Sequence, residues 1–476
     1  MSEFNNEYRE QRLANMAGMQ ALGLKPYGGA FARTGRIADI RVSFEENRAV
    51  RMAGRLMSLR DMGKSLFADL NDGTGRFQVY AQQKHLGDAA YAAFKLLDLG
   101  DFVGVEGTLF TTRTGEQSVK IDRWTPLAKA LRPLPEKWHG LRDVEARYRH
   151  RYLDLAANPE VRALFDRRHK AVREIRNFLH DRGFVEVETP MIQGRAGGAA
   201  ATPFRTHYTA LGTDMFLRIA PELYLKRLLV GGFDRVFEMN RNFRNEGLDR
   251  THNPEFTMLE IYEAYSDLRG MKSLVQDLIV HVAQQVMGTL KVGSAEHPID
   301  LTPPWREVAY RDLIVEHMGP DWYQRSAEEA ASRARELGLA AESGWGHRQL
   351  THEIYEKTIE RTLQQPTFVT RLPTELVPLA RTCEDDPTVV DVFELEIGGK
   401  EIAPAYSELN DPLEQRRRLE QQGGGQTADE DFIDALEHGM PPAGGMGLGI
   451  DRLLMILTGS DAIRDVILFP QLRPHE

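Results

Sequence analysis

The sequence predicts a multidomain α/β protein, in which a small closed β-barrel precedes a larger α+β domain built on an antiparallel sheet. Between about residues 50 and 126, apolar and polar residues alternate over short runs, as they do in strands with one buried face. After residue 159, strand and helix patterns mix without the regular β-α-β order of a parallel sheet. The length of 476 residues suits two or three domains.

The predicted barrel covers residues 49–130 and contains about five strands with a single helical stretch, DAAYAAFKLLD. Asp72-Gly73 and Thr114-Gly115 stand at turn positions between strands. Five short strands with one helix are typical of the OB-fold. Barrels of this type often bind single-stranded nucleic acid through a charged face that carries aromatic side chains.

Helix and linker signals divide the remainder of the chain. A long helix is predicted to begin at Asn158-Pro159, where Asn can cap the helix and Pro suits its first turn. Gly183 is placed to end that helix. The other boundaries are predicted as a helical N-terminal extension at 1–48, a proline-containing basic linker at 131–158, the large domain at 159–476 and a helical insert-like region at 302–366.

Charge and cysteine content restrict the classes of function. The 60 Lys+Arg and 70 Asp+Glu give a net charge of −10, which taken alone argues against a nucleic-acid partner. The charge is uneven, however: residues 384–437 hold 16 acidic and 4 basic residues, whereas residues 51–130 hold 9 acidic and 11 basic residues. The net charge therefore does not exclude nucleic acid.

The single cysteine, Cys383, excludes an internal disulfide and a cysteine-based metal cluster, and it indicates a reducing, cytoplasmic setting. No run reaches the roughly 18 apolar residues that span a bilayer, so no membrane partner is expected.

Three ordered segments carry the chemistry, and the first, RGFVEVETPMI (182–192), predicts a helix–strand junction. The second (235–265) predicts two strands joined by a polar loop. The period of two places Asn242, Arg244 and Glu246 on one strand face, and Glu260 with Tyr262 on one face of the next. Buried charges need partners or ligands, so either an internal salt bridge or a ligand site is expected here.

The third segment is GGMGLGIDRLLMIL (444–457). Gly445, Gly447 and Gly449 alternate, so one strand face lacks side chains and can accept a flat ligand against the backbone. Arg452 follows at the start of an apolar helix, and both helix N-termini and arginines attract phosphate. Tight helix–strand packing is the alternative explanation of the glycines.

A predicted hairpin between the second and third segments carries several carboxylates. Gly398-Gly399 favours a two-residue turn, which would place Glu396 opposite Glu401 with Glu394 on the same face. Like charges at these positions repel unless a cation lies between them, and Mg²⁺ is the usual cation in nucleotide enzymes. The alternative is an exposed edge hairpin with solvated glutamates.

Together and in this order, the segments resemble the three motifs of the class II aminoacyl-tRNA synthetases. The closer resemblance, from about Ala49 to Pro474, is to the lysine-specific family of that class. Its stretches are GLRDVEARYRHRYLDL, RIAPELYLKRLLVGGFDRVFEMNRNFRNEG, THNPEFTMLE, SELNDP and IRDVILFP. The resemblance implies an OB-fold anticodon-binding domain, a class II catalytic domain, Mg²⁺ as cofactor, and ATP, L-lysine and tRNA(Lys) as substrates. It also implies a homodimer with its interface at 182–190.

The resemblance also implies roles for individual residues. Those expected to act in catalysis are Arg244 and Arg452. Those expected to bind ATP are Arg244, Glu246, His252, Asn253, Phe256, Glu394, Gly449 and Arg452. Those expected to bind lysine are Gly198, Glu222, Arg244, Glu260, Tyr262, Tyr406 and Glu408. Those expected to hold Mg²⁺ are Glu394 and Glu401, and those expected to read the anticodon are Arg60, Phe67 and Gln78.

The residue types agree with a cationic substrate, because Glu260 and Glu408 supply carboxylates where an aspartate pocket would need Arg or Lys. The chain departs from the family at Pro404, where Asn is usual, and at Glu396, where an apolar residue is usual. An aspartyl- or asparaginyl-type enzyme shares the barrel and motifs and is one alternative. A protein-lysylating paralogue is another, although known examples lack the barrel. A catalytically dead module would be expected to lack an ATP-contacting arginine or a metal carboxylate.

Overall fold

The computed structural model describes residues 2–135, 141, 143–342, 344–422 and 429–474. The chain forms two compact units, Met1–Arg162 and Ala163–Glu476. Among the described residues, no helix is long and apolar enough to cross a membrane.

The first unit contains a closed five-stranded barrel with the strand order β1-β2-β3-β5-β4. Its strands are β1 (Ala49–Asp61), β2 (Ser65–Asn71), β3 (Arg76–Gln82), β4 (Phe102–Thr111) and β5 (Gln117–Ala128). The predicted turns connect β2 to β3 and β4 to β5, where Gly73 and Gly115 have φ values of 86° and 85°. Alternate residues such as Met52, Leu56 and Val79 fill the barrel core.

In the described part of the first unit, six helices accompany the barrel. They are α1 (Ser2–Ala21), α2 (Ile37–Val42), α3 (Gln83–Leu86), α4 (Asp88–Phe94), α5 (Val144–Arg149) and α6 (Arg151–Ala157). The predicted linker at 131–158 lies partly outside the described residues, and its described part includes α5 and α6. In α6, Arg151 and Asp154 form a buried ion pair of 2.6 Å.

The long predicted helix is present as α7 (Pro159–His180), and Gly183 follows it with a φ of 79°. The other helices of the chain are α8 (Glu222–Val230), α9 (Leu268–Met287), α10 (Tyr310–Met318), α11 (Ala327–Glu336), α12 (His347–Ile354), α13 (Pro412–Gln422), α14 (Glu430–Glu437), α15 (Ile450–Thr458) and α16 (Ile463–Val466). Short 3₁₀ turns occur at Trp322–Gln324 and Glu360–Thr362, with a π-helical turn at Tyr355–Ile359 between α12 and the second of them.

The second unit is built on an eight-stranded sheet with the order β14-β15-β16-β17-β18-β11-β10-β6. These strands are β6 (Val185–Glu186), β10 (Arg235–Phe243), β11 (Glu255–Ala264), β14 (Arg306–Ala309), β15 (Thr367–Thr370), β16 (Val392–Glu396), β17 (Glu401–Ser407) and β18 (Ala443–Gly449). Smaller sheets contain β7 (Ile192–Gln193), β8 (Arg205–Tyr208), β9 (Thr213–Leu217), β12 (Lys291–Gly293) and β13 (Pro298–Asp300).

The six central strands are antiparallel, as predicted, but the strand at each edge of the sheet pairs with its neighbour in parallel. β14 pairs with β15 in parallel, and β6 pairs with β10 in parallel. Each of these pairs is joined by a long crossover that includes helices, which is the connection that parallel strands require.

One prediction about the second unit is wrong. β10 ends at Phe243, so Arg244 and Glu246 lie in the following loop and do not share a strand face with Asn242. Arg244 N donates to Pro254 O at 2.9 Å, which closes this loop just before β11 begins. The prediction for β11 is confirmed: Leu259 and Ile261 enter the hydrophobic core, and Glu260 with Tyr262 take the other face.

Candidate active site

The loop after β10 and strands β11, β17 and β18 line a cleft that is open to solvent. The cleft brings together most of the residues that the sequence associates with a nucleotide. Those residues are Arg244, Glu246, His252, Asn253, Phe256, Gly449 and Arg452, and the predicted metal ligand Glu401 lines the cleft with them, whereas Glu394 does not. Two arginines, an aromatic ring and a side-chain-free strand end are a suitable combination for a planar ligand with phosphates.

Arg244 stands over the Phe256 ring, with its Cζ atom 5.1 Å from the ring centroid. Its Nε is buried and has no hydrogen-bond partner. Burial lowers the pKa of Arg244, and the nearby carboxylates Glu401 and Glu246 oppose that shift. A buried guanidinium with an unused donor favours an anionic ligand at this point.

Arg452 is held at the start of α15 by two contacts. Its Nη1 donates to Glu401 O at 2.7 Å, and its Nη2 lies 3.2 Å from His252 Nε2. His252 Nδ1 lies 2.8 Å from Asp249 Oδ2, so the ring donates to Asp249 and accepts from Arg452. Partial burial acts to raise the pKa of Asp249, but the hydrogen bonds from His252 and Thr251 outweigh burial and lower that pKa.

The remaining cleft residues are fixed mainly by backbone contacts. Asn253 Nδ2 donates to Glu255 O at 2.6 Å, and Thr202 N donates to Glu246 Oε1 at 3.2 Å. Asp451, which was not predicted as a site residue, accepts from Thr257 N at 2.7 Å and from Arg168 at 2.6 Å. An acidic residue beside Arg452 in the first turn of a helix is a signal that could have indicated it.

The predicted hairpin is present, with β16 pairing with β17 and Glu396 opposite Glu401. Gly398 and Gly399 form its turn with φ values of 63° and 66°. Tyr355 Oη lies 3.4 Å from Glu394 Oε2. Burial, followed by the charge of Glu401, raises the pKa of Glu394 well above its usual value.

The turn at Glu360–Thr362 adds a carboxylate that the sequence analysis missed. Glu360 Oε1 accepts from Glu401 N at 3.3 Å, and burial together with Glu401 raises the pKa of Glu360 to about 7. Glu396 is buried, and its Oε2 has no partner. Even so, no group of three or more His, Cys, Asp or Glu side chains is arranged to hold a metal ion anywhere in the described part of the chain.

A second cluster of side chains, buried except for the partly buried Tyr406, lies between α8, β11 and the residues at the end of β17, and we refer to this cluster as the acidic pocket. Tyr262 Oη donates to Glu260 Oε2 at 3.1 Å, and Tyr406 Oη donates to Glu222 Oε2 at 3.2 Å. Glu408 completes the set of three buried carboxylates. The predicted lysine-binding side chains of α8, β11 and β17 therefore meet in one place.

Lys226 also lies in this pocket, and the sequence analysis missed it. Its Nζ is 2.7 Å from Glu222 Oε1 and 2.5 Å from Glu408 Oε2. Burial acts to lower the pKa of Lys226, but the charges of Glu222 and Glu408 outweigh burial and raise that pKa. The spacing of Glu222 and Lys226, four residues apart on a helix, is a signal that could have found this contact.

Burial also governs the protonation of the carboxylates. Burial, followed by the charge of Glu222, raises the pKa of Glu260 to about 8. Burial also raises the pKa of Glu408 to about 8, although Lys226 acts in the opposite direction.

Two glycines make room for this pocket. A Cβ atom on Gly445 would lie 1.8 Å from Glu408 Oε1 and 2.6 Å from the Tyr262 ring. Gly198 has a φ of 84°, and a Cβ there would lie 3.1 Å from Glu222 Cβ. Of the alternating glycines, Gly445 lies against Glu408 and Tyr262 in this pocket, whereas Gly449 lines the cleft.

The three predicted anticodon-binding residues share the outer face of the barrel. Arg60 pairs with Phe67 across β1 and β2, and Phe67 pairs with Tyr80 across β2 and β3. The Phe67 and Tyr80 rings are 4.8 Å apart. Gln78, two residues before Tyr80, accepts a 2.8 Å hydrogen bond from Ser118.

Comparison with known proteins identifies a known family for the barrel and another for the large domain. The family described as tRNA synthetases class II (D, K and N) matches residues 143–473, and the OB-fold nucleic acid binding domain matches residues 50–127. A lysine–tRNA ligase of Pelotomaculum thermopropionicum is 50% identical over 99% of this chain and 96% of its own length. One of Carboxydothermus hydrogenoformans is 49% identical over 99% of both chains. The chain therefore belongs to the class II tRNA synthetases, within the family of the lysine–tRNA ligases.

Proposed function

We propose that this protein activates L-lysine with ATP and transfers the lysyl group to the 3′ end of tRNA(Lys). The observation that carries this proposal is the buried pocket with three carboxylates, Glu222, Glu260 and Glu408. A cationic amino acid is the substrate that such a pocket selects, because the one ammonium of Lys226 cannot neutralise three carboxylates, and an unpaired buried charge costs several kcal/mol. An aspartate or asparagine substrate would meet like charge or unpaired carboxylates there, which disfavours the aspartyl- and asparaginyl-type alternatives.

In the proposed first step, the lysine carboxylate attacks the α-phosphate of ATP in line, and pyrophosphate leaves. Arg244 neutralises charge on the α-phosphate and on the attacking carboxylate, and Arg452 holds the γ-phosphate. Phe256 stacks under the adenine, while Glu246, His252 and Asn253 surround the adenine and phosphates and Gly449 lets the nucleotide approach the backbone. Positioning and charge neutralisation supply the catalysis, so no side-chain nucleophile is needed. The terminal ribose hydroxyl of tRNA then takes the lysyl group from the adenylate.

The lysine pocket positions the amino acid for that attack. Glu260, Tyr262 and Glu408 surround its side-chain ammonium, and Gly198, Glu222 and Tyr406 lie at its α-amino end. The 3.1 Å contact of Tyr262 with Glu260 and the 3.2 Å contact of Tyr406 with Glu222 orient the two carboxylates before the substrate arrives. Such preorganisation lowers the cost of binding.

The carboxylates of the hairpin fit Mg²⁺. Glu394 and Glu401 are hard oxygen donors on neighbouring strands, and burial together with the charge of Glu401 raises the pKa of Glu394, so a cation beside these two groups would be favourable. Mg²⁺ commonly uses one or two protein carboxylates and completes its shell with water and phosphates. When bound, it would neutralise phosphate charge. We assign Glu394 and Glu401 to this ion.

We assign residues 49–130 to anticodon binding through Arg60, Phe67 and Gln78, and residues 159–476 to catalysis. The aromatic pair Phe67 and Tyr80 offers the stacking surface that single-stranded RNA requires. We also propose a cytoplasmic homodimer that forms through residues 182–190, on the strength of the family resemblance.

The test measures amino-acid-dependent ATP–pyrophosphate exchange with purified protein, followed by charging of tRNA with radiolabelled lysine. We expect exchange with lysine alone among the standard amino acids, and loss of exchange in Arg244→Ala. Exchange with aspartate or asparagine but not with lysine would refute the proposal. Normal exchange without tRNA charging would point to a protein-lysylating enzyme.

A further inference from the structure

Lys226 presents an ammonium group inside a pocket that is otherwise suited to a substrate ammonium. Its side chain is completely buried and makes ion pairs with Glu222 at 2.7 Å and Glu408 at 2.5 Å. Its Nζ also lies 5.7 Å from the centroid of the Tyr406 ring. The side chain of Lys226 therefore supplies one ammonium group to the pocket before any substrate binds.

The partners of each carboxylate oxygen show what is left for a substrate. Glu222 is used on both oxygens, since Oε1 meets Lys226 and Oε2 accepts from Tyr406. Glu408 forms an ion pair with Lys226 through Oε2, while its Oε1 has no ion-pair partner, and neither of these buried oxygens accepts a hydrogen bond. Glu260 accepts from Tyr262 on one oxygen only. Free acceptor capacity therefore remains at Glu408 and Glu260.

The charges lead to the same conclusion. When all three carboxylates are ionised, as a bound cation favours, they and the one ammonium of Lys226 leave the pocket with two excess negative charges. Free lysine carries two ammonium groups, so the pocket is balanced when both are bound. Without Lys226 the pocket would hold three uncompensated carboxylates, and burial would favour their protonated, neutral forms.

We propose that Lys226 is a positioning residue that tunes the pocket for a substrate with two ammonium groups. It holds Glu408 through one oxygen so that the other remains for the substrate, and it places a positive charge against Glu222 and Glu408. This inference rests on the proposed function. Stability alone is a weak reason for such a group, because buried ion pairs can often be replaced by apolar residues without loss of stability.

The experiment compares Lys226→Ala with wild type in lysine-dependent ATP–pyrophosphate exchange over a range of pH. We expect KM for lysine to rise about a hundredfold, as when one member of a buried charge pair is removed, with KM for ATP within about twofold. The acid limb of kcat/KM for lysine should move to higher pH, because Glu408 then lacks its cationic neighbour. The titratable groups that interact with Glu408 are Lys226 and Glu222 from α8, Tyr262 from β11 and Tyr406 from β17.

Chemical rescue separates charge from packing. Propylammonium supplies the atoms that Lys226→Ala lacks, and it should restore exchange, whereas 1-propanol of similar size should not. The matched control is Lys272→Ala, which removes a lysine paired with Glu307 at the surface and should behave as wild type.

Equal rescue by the alcohol, or an unchanged KM for lysine and pH profile, would overturn the proposal. If Lys226→Ala does not fold, Lys226→Met keeps the volume and is measured in the same pH series. Failure of wild type itself to exchange with lysine would instead overturn the proposed function.

Discussion

Tyr262 Oη donates a 3.1 Å hydrogen bond to Glu260 Oε2 at a point where both side chains are buried. The two residues project from the same face of β11, while Leu259 and Ile261 on the opposite face enter the hydrophobic core. The core thus fixes the strand, and the strand fixes the orientation of the carboxyl group. Because this carboxyl group is held in place inside the pocket, binding of the lysine ammonium can be coupled to the loss of a proton from Glu260.

The first prediction concerns this coupling. Burial and Glu222 raise the pKa of Glu260 to about 8, so the free enzyme carries a proton there at neutral pH. A substrate ammonium favours the ionised carboxylate, so its binding releases that proton, and lysine affinity should rise as pH increases from about 6.5 to 8. Calorimetry in buffers of different ionisation enthalpy should detect proton release at pH 7. Glu260→Gln should reduce the release to the part that Glu408 supplies, and equal release in the variant would contradict the assignment.

The second prediction concerns the space above β18. Gly445→Ala would place a Cβ 1.8 Å from Glu408 Oε1, so that carboxylate must move. We expect KM for lysine to rise about a hundredfold, the usual effect of a displacement of this size, with ATP binding retained. Gly194→Ala is the matched control, because a Cβ there meets nothing within 4 Å. Equal kinetics for the two variants would be inconsistent with a role of Gly445 in seating Glu408.

The third prediction concerns Pro404, which lines the cleft in β17 opposite Glu394. Proline offers no N–H and no side-chain amide, so the main-chain end of lysine lacks one donor here. Pro404→Asn should lower KM for lysine about fivefold, the effect of one added hydrogen bond of about 1 kcal/mol. Pro404→Ala, which removes the ring without adding an amide, should give no such gain. The idea fails if Asn and Ala have the same effect in steady-state exchange assays.

The fourth prediction concerns the outer face of the barrel. Phe67→Ala removes the ring that contacts Tyr80 at 4.8 Å. Loss of one base stack should raise KM for tRNA(Lys) about tenfold, while ATP–pyrophosphate exchange stays unchanged because it needs no tRNA. Phe102→Ala, which removes another exposed aromatic ring of the barrel, serves as the control. A matching loss in that control would show that the defect is one of barrel stability.

Local signals were sufficient for much of the fold. Asn158-Pro159 and Gly183 bound α7, Gly398-Gly399 forms the hairpin turn, and the alternating glycines of β18 make room on one face. Each of these features depends on backbone preferences within a few residues. The end of β10 at Phe243 and the parallel edge strands were not predicted, because strand ends and edges depend on partners far along the chain.

The sequence was enough to identify the two kinds of domain, the order of the motifs and the acidic character of the pocket. It could not show that Lys226 occupies two of the carboxylates, that Glu360 joins the hairpin glutamates or that Asp451 ties α15 to β11 and α7. Secondary structure and turns follow from neighbouring residues, whereas ion pairing and protonation follow from burial and distance between residues that are remote in sequence. Only the packed sheet brings those residues together and removes them from water.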